Sequence, residues 1–146
     1  MTATSAPATA PYEDLAATVR GDVISPRGPG YDEARAVYNA MIDKRPAAIV
    51  RCRDVADVIT CVRFGRKHGA EIAVLGGGHN AAGLGVSDDA LVVDLSQLRS
   101  TTVNPEGHTV RVDAGCTWGD VDHATVAFGM ATPSGFLAST DRKSVM

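Results

Sequence analysis

At 146 residues, 45% hydrophobic and 21% charged, the chain has the length of about one domain and the composition of a globular protein. A net charge of −3, with no basic stripe and no interleaved aromatics, argues against a nucleic-acid partner and against an anionic membrane surface. Its apolar runs last a few residues each, far short of the roughly 20 that cross a bilayer.

Residues 1–11 are rich in Ala, Thr and Pro, without a cationic start or an apolar stretch. They read as a disordered leader and not as a signal peptide, which makes the cytoplasm the expected location. Residues 12–44 are expected to hold N-terminal helices, one over 12–20 and one over 32–40 with Asp32 as N-cap, joined by the turn-rich SPRGPG of residues 25–30.

From residue 45 the pattern alternates. Residues 47–53 (AAIVRCR) suit a buried strand. Asp54 then caps a helix whose apolar face is expected to be Val55, Val58, Ile59 and Val62, at i, i+3, i+4 and i+7. Lys67 and His68 fall in its last turn, and Gly69 follows as the terminating residue. Residues 71–75 (EIAVL) form a second strand, and strand–helix–strand at this length is a βαβ unit with parallel strands. Residues 76–89 are a loop with five glycines, and 91–95 (LVVDL) a third strand. Residues 109–113 alternate, with Val110 and Val112 inward, as in a half-solvated antiparallel strand. Thr117 followed by Asp120 predicts a capped helix ending near Phe128, before Gly129. Residues 130–137 are short and apolar, and 141–146 polar and patternless.

The loop Gly76-Gly77-Gly78-His79-Asn80-Ala81-Ala82-Gly83-Leu84-Gly85 carries the most information. It follows an apolar strand directly. Consecutive glycines let the backbone take positive φ and approach a ligand, and successive N–H groups in such a loop can cradle a pyrophosphate. Two common phosphate loops do not fit. Leu84 stands where a P-loop needs Lys, and Ala81 where a dinucleotide fingerprint needs its third glycine. Asp94 lies near where a ribose-binding acid would sit in a nicotinamide-binding unit, but the stretch after the loop cannot supply the crossover helix. A neutral imidazole is a competent nucleophile toward an electrophilic cofactor carbon, so His79 is the candidate functional histidine; a purely structural histidine is the alternative. His68, His108 and His123 read as a helix end, a turn and a helix surface. Asp120, Asp122 and His123 do not present three metal ligands together on a helix. Cys52, Cys61 and Cys116 are odd in number and lack a C-x-x-C pair, which argues against a disulfide framework or zinc site and for small buried hydrophobes.

Pro46-Ala-Ala-Ile49-Val50, Val74-Leu75-Gly76-Gly77-Gly78-His79-Asn80, Val92-Val93-Asp94-Leu95-Ser96, Gly115-Cys116-Thr117-Trp118-Gly119-Asp120-Val121 and Ala131-Thr132-Pro133-Ser134-Gly135 occur in order. Together they resemble the FAD-binding (PCMH-type) domain of the vanillyl-alcohol-oxidase superfamily, closest to its berberine-bridge-enzyme-like FAD-linked oxidases. The resemblance runs from about Tyr12 to Thr140. It implies an α+β fold in which residues 45–140 form part of the FAD-binding domain: a first subdomain with parallel βαβ strands and an incomplete second one. It also implies FAD as cofactor, held at its diphosphate by Gly76, Gly77, Gly78, His79, Asn80 and Gly83. Asp94, Leu95 and Ser96 would lie beside the cofactor path, and Thr132, Pro133, Ser134 and Gly135 would approach the flavin from the second subdomain. The histidine matching His79 is commonly bonded to the flavin 8α-methyl, and the implied reaction moves hydride from a small alcohol- or sugar-like substrate to flavin N5. For Thr117 and Trp118 a helix cap and a core aromatic are the preferred readings.

Three departures accompany the resemblance. Leu75 stands where the family often has Arg before the glycines. Residues 135–140 lack the Cys of doubly linked members, so at most one link, through His79, is expected. The resemblance stops at Thr140, which leaves no catalytic base to name, marks 141–146 as a non-family tail and suggests a truncated chain. The rival expectations are a non-catalytic flavin-binding remnant, a subunit of a split enzyme completed by a second chain, and a nicotinamide-binding domain.

Overall fold

The computed structural model describes residues 11–135 and 137–140. The expected tail at 141–146 and all but the last residue of the expected leader lie outside these. The main sheet has four strands, β1 (Asp22–Ile24), β2 (Ala48–Arg51), β3 (Ile72–Leu75) and β4 (Leu91–Asp94), in the order β1-β2-β4-β3. β2, β4 and β3 are parallel, and β1 adds antiparallel at the edge of β2. The two strands of the βαβ unit are parallel as the spacing predicts, but they do not touch, because β4 inserts between them. Its four residues are all buried, as befits a parallel strand covered on both faces. The fold is α+β, with the parallel strands in one sheet.

Each face of the sheet builds its own core. Ala48, Val50, Leu91 and Val93 pack with Leu15, Cys52 and Cys61, whereas Ile49, Ala73, Leu75 and Val92 pack with Tyr31, Ala34 and Val86. Helix α2 (Val55–His68) covers the first face; the Asp54 carboxylate accepts the Asp57 N–H at 3.0 Å, and Gly69 ends the helix left-handed. Its buried stripe is not the one the apolar pattern predicts. Val55 and Ile59 are exposed, whereas Asp57, Cys61 and Gly65 are buried, with Val58 and Phe64 packed against the core. The buried acid turns the helix: the Asp57 carboxylate accepts the backbone N–H groups of Arg20, Gly21 and Arg53 at 2.8, 3.0 and 2.9 Å.

The N-terminal helices are shorter than expected. The first is a 3-10 helix over Tyr12–Ala17, and the second, α1, spans only Tyr31–Ala34, with Gly30 and not Asp32 at its N-cap. β1 between them has no clear sequence signal. Tertiary contacts override the helical pattern after α1. Arg35 pairs with Asp32 and Asp43 and donates to the Lys44 carbonyl, while Tyr38 N–H donates to the Gly78 carbonyl at 3.1 Å. The segment after α1 is thereby drawn across the glycine loop.

A smaller unit follows, with the antiparallel pair β5 (Thr101–Asn104) and β6 (Thr109–Val112) beside α3 (Trp118–Val126). β6 matches the alternation of the sequence; β5 was not expected. Val112, Cys116, Trp118 and Val121 form its core. Thr117 and Asp120 make a reciprocal capping box, and the N–H groups of Trp118 and Gly119 donate to the carbonyls of Thr140 and Ala138. Trp118 is buried as a core aromatic. Its Nε1 has no partner among the described residues.

Candidate functional site

The three parallel strands end at one level, because Arg51 and Leu75 both lie in register with Asp94. The glycine loop leaves from this carboxyl edge. Gly78 is left-handed, with φ +73°, and a Cβ there would sit 3.4 Å from the Val37 backbone. Gly83 is also left-handed, with φ +70°, and its Cβ would meet Ile42 Cγ2 at 2.6 Å. Both positions favour glycine for conformation, and Gly83 requires it for space as well. Among the described residues, the backbone N–H groups of Gly78, His79 and Asn80 donate to no acceptor. Donors left open on a left-handed turn are the groups that receive an anion.

Asn80 braces the loop: its carbonyl accepts the Gly83 N–H at 3.0 Å, and its side-chain oxygen accepts the Leu84 N–H at 3.2 Å. Asn39 Nδ2 donates to the Ala81 carbonyl at 3.0 Å from the opposite side. His79 stands half-buried against Tyr38, with ring centroids 5.0 Å apart and planes inclined by 33°. A cleft of about 180 Å³ runs along the loop between Val37, Val74, His79 and Leu84. A second, of about 280 Å³, lies where Gly76, Gly77 and Gly78 meet Arg51, Asp94 and Ser96.

Asp94 is buried at the end of β4. Its Oδ1 accepts the Ser96 N–H at 2.8 Å, and its Oδ2 lies 3.5 Å from Arg51 Nε. Leu95 packs against the core on the α2 side, and its N–H donates to the Leu75 carbonyl at 2.8 Å. Thus Gly76, Gly77, Gly78, His79, Asn80, Gly83, Asp94 and Ser96 border the two clefts. Thr132, Pro133, Ser134 and Gly135 do not line them. They lie in an irregular segment after α3, where Gly135 faces the Trp118 indole. Sequence reasoning missed Arg51, Tyr38 and Asn39. Arg51 ends an apolar strand, a position from which register with Asp94 could be suspected only once the strand order is known.

The cysteines are free and buried. The neighbouring Cys61 side chain and burial push the Cys52 thiol up, away from thiolate chemistry. Among the described residues no cluster of His, Cys, Asp and Glu could hold a metal ion, and no helix is long and apolar enough to cross a membrane.

Residues 46–144 match the model of the FAD binding domain family. (R)-6-hydroxynicotine oxidase of Paenarthrobacter nicotinovorans is 32% identical over 118 residues, 81% of this chain and 26% of that protein. An uncharacterised FAD-linked oxidoreductase of Bacillus subtilis is 27% identical over 119 residues, 82% of this chain and 26% of its own length. The chain thus spans about a quarter of the length of the curated relatives it matches. The crystal structure of 6-hydroxy-D-nicotine oxidase from Arthrobacter nicotinovorans superposes with a TM-score of 0.80 at 29% identity, covering 97% of this chain and 29% of that one. BBE-like 1 of Physcomitrella patens gives a TM-score of 0.80 at 27% identity, covering 89% and 29%.

Proposed function

The chain belongs to the FAD binding domain family of FAD-linked oxidoreductases, and from that premise we propose that it is the FAD-binding portion of a hydride-transferring enzyme, with its glycine loop around the diphosphate and His79 as the point of flavin attachment. The observation that carries this reading is the left-handed Gly78, with open N–H groups from Gly78 to Asn80, at the carboxyl edge of three parallel strands. Open sheets with parallel strands bind ligands at that edge. Gly78 and Gly83 bring left-handed main chain without a side chain to the edge of the cleft, so the residues present fit a closely held dinucleotide.

When bound, the flavin supplies the redox chemistry, accepting hydride at N5 from a C–H of a small alcohol- or sugar-like substrate. The residues of this chain do the holding. Gly76, Gly77, Gly78, Asn80 and Gly83 shape the phosphate cradle. His79, steadied by Tyr38, presents an imidazole nitrogen to the 8α-methyl of the ring. Asp94 and Ser96 border the cofactor path, to which Leu95 would contribute only main chain, and Thr132, Pro133, Ser134 and Gly135 would approach the flavin from the side of β5, β6 and α3. Weak or absent turnover by this chain alone is expected, since it covers 26% of its relative's length.

The test is expression with ample flavin, followed by purification and denaturation. Yellow colour that survives denaturation and is lost in His79→Ala supports the attachment. A colourless purified protein that binds no added FAD, or one that binds NAD in its place, overturns the reading. A second reading, a subunit completed by a partner chain, is favoured by the exposed apolar residues Tyr38, Met41, Val74 and Leu84 around the loop. Molecular mass and flavin content measured on the same sample separate the two: a stoichiometric partner supports completion, and a flavin-bearing monomer opposes it.

A further inference from the structure

We propose that Arg51 is the side chain that grips a phosphate oxygen of the dinucleotide beside the glycine loop, with Asp94 as its positioning residue; the inference rests on the FAD reading above. Arg51, Asp94 and Leu75 stand side by side across β2, β4 and β3. Residues in register project to the same face of a sheet, so all three belong to the face covered by α1 and the segment after it. There they border the cleft of about 280 Å³ whose other wall is Gly76, Gly77 and Gly78.

Charge singles out Arg51. The glycine loop offers dipoles but no charge, and Leu75 ahead of it adds none. Among the described residues lining that cleft, Arg51 is the one cation, against the carboxylates of Glu33 and Asp94. Asp94 is committed inward: its side chain is 5% exposed and its Oδ1 already accepts the Ser96 N–H. The Arg51 side chain is 33% exposed, and its Nε lies 3.5 Å from Asp94 Oδ2, an ion pair without a hydrogen bond of the guanidinium to that carboxylate. Neither Nη1 nor Nη2 donates to another described residue. An arginine serving only as a structural partner would close its fork on the carboxylate. Here one edge is anchored and the other stays open, the form suited to a phosphate. Asp94 also offsets the charge of Arg51 while the site is without ligand.

The experiment uses the full chain in a His79→Ala background, so that flavin binding is reversible, and reads dissociation constants for FAD and for riboflavin, which lacks phosphate. Arg51→Gln is expected to weaken FAD about tenfold or more, the scale of a lost charge-assisted hydrogen bond. It should leave riboflavin within about twofold and flatten the salt dependence of FAD binding. Arg51→Lys should recover part of the loss, and Asp94→Asn, which keeps an acceptor oxygen, should lose less than Arg51→Gln. Equal losses for FAD and riboflavin, or no loss for either, with circular dichroism and melting unchanged, overturn the proposal while leaving the FAD reading standing. A background protein that binds neither ligand sinks both.

Discussion

His79 rests on Tyr38, ring on ring, at 5.0 Å between centroids. Tyr38 is otherwise 76% exposed, so it contributes little to the core, and its contact with the imidazole is its main packing. The contact restrains the rotamer of the candidate attachment residue. Tyr38→Ala is therefore expected to change stability by no more than about 0.5 kcal/mol while slowing flavin attachment several-fold. Denaturation-resistant flavin absorbance followed over time checks this; an unchanged rate would remove any positioning role for Tyr38.

The two left-handed glycines of the loop differ in what they cost to replace. Gly83→Ala meets both an unfavourable φ and the Ile42 side chain, so a destabilisation of about 2 kcal/mol or more is expected. Gly78→Ala meets only ordinary contact with Val37, so about 1–2 kcal/mol is expected from backbone strain. Gly78→Ala should show the larger loss of FAD affinity, because Gly78 lines both clefts and its N–H has no acceptor among the described residues. Urea midpoints and FAD titration together check the pair.

At the start of α3, Asp120 is held by Arg99 at 2.8 and 3.1 Å and by the Thr117 backbone N–H at 2.8 Å. The Arg99 guanidinium, then the Thr117 N–H, hold its carboxyl below the usual carboxylate range. A depressed folded value means that the stabilisation is complete above the unfolded value near about 4 and is lost as pH falls through the lower folded one. Arg99→Gln should cost a few tenths to about 1 kcal/mol at neutral pH, given the exposure of the pair. It should converge with the parent chain at low pH. Thr117→Ala, which removes the cap, should cost about 1 kcal/mol. Urea midpoints at pH 7 and near pH 2–3 test both.

What was legible in the sequence follows locality. The Asp54 and Thr117 caps, the Gly69 terminus and the strand–helix–strand unit are signalled within a few residues of where they act, and they form as read. The glycine loop was legible for the same reason, since its composition dictates its conformation. What was missed depends on distant partners. Nothing near β4 says that it inserts between β2 and β3, so the pairing of Arg51 with Asp94 could not be read. The helical pattern after Asp32 is genuine, but Arg35, Tyr38 and Asn39 are held by groups elsewhere in the chain. β5 (TTVN) lies on a half-exposed ribbon and carries a single apolar residue, Val103, too little for an apolar alternation.

Asp57 shows the same limit at its sharpest. An acid between apolar positions reads as the solvated side of a helix, yet Asp57 is 1% exposed while Val55 and Ile59 face outward. Its carboxylate gathers the N–H groups of Arg20, Gly21 and Arg53, tying the chain before β1 and the turn before α2 to one point. Deleting it leaves three part-buried donors without their acceptor, where a fully buried unsatisfied donor would cost about 1–3 kcal/mol. Asp57→Ala is therefore expected to lose about 3 kcal/mol or more, and Asp57→Asn less, because one oxygen still accepts. Were Asp57 a solvated surface acid, both variants would fall within about 0.5 kcal/mol of the parent. Equilibrium urea unfolding at pH 7 decides between these outcomes. Hydrogen exchange at Arg20, Gly21 and Arg53 adds an independent readout, since faster exchange at those three amides is the local mark of the lost carboxylate.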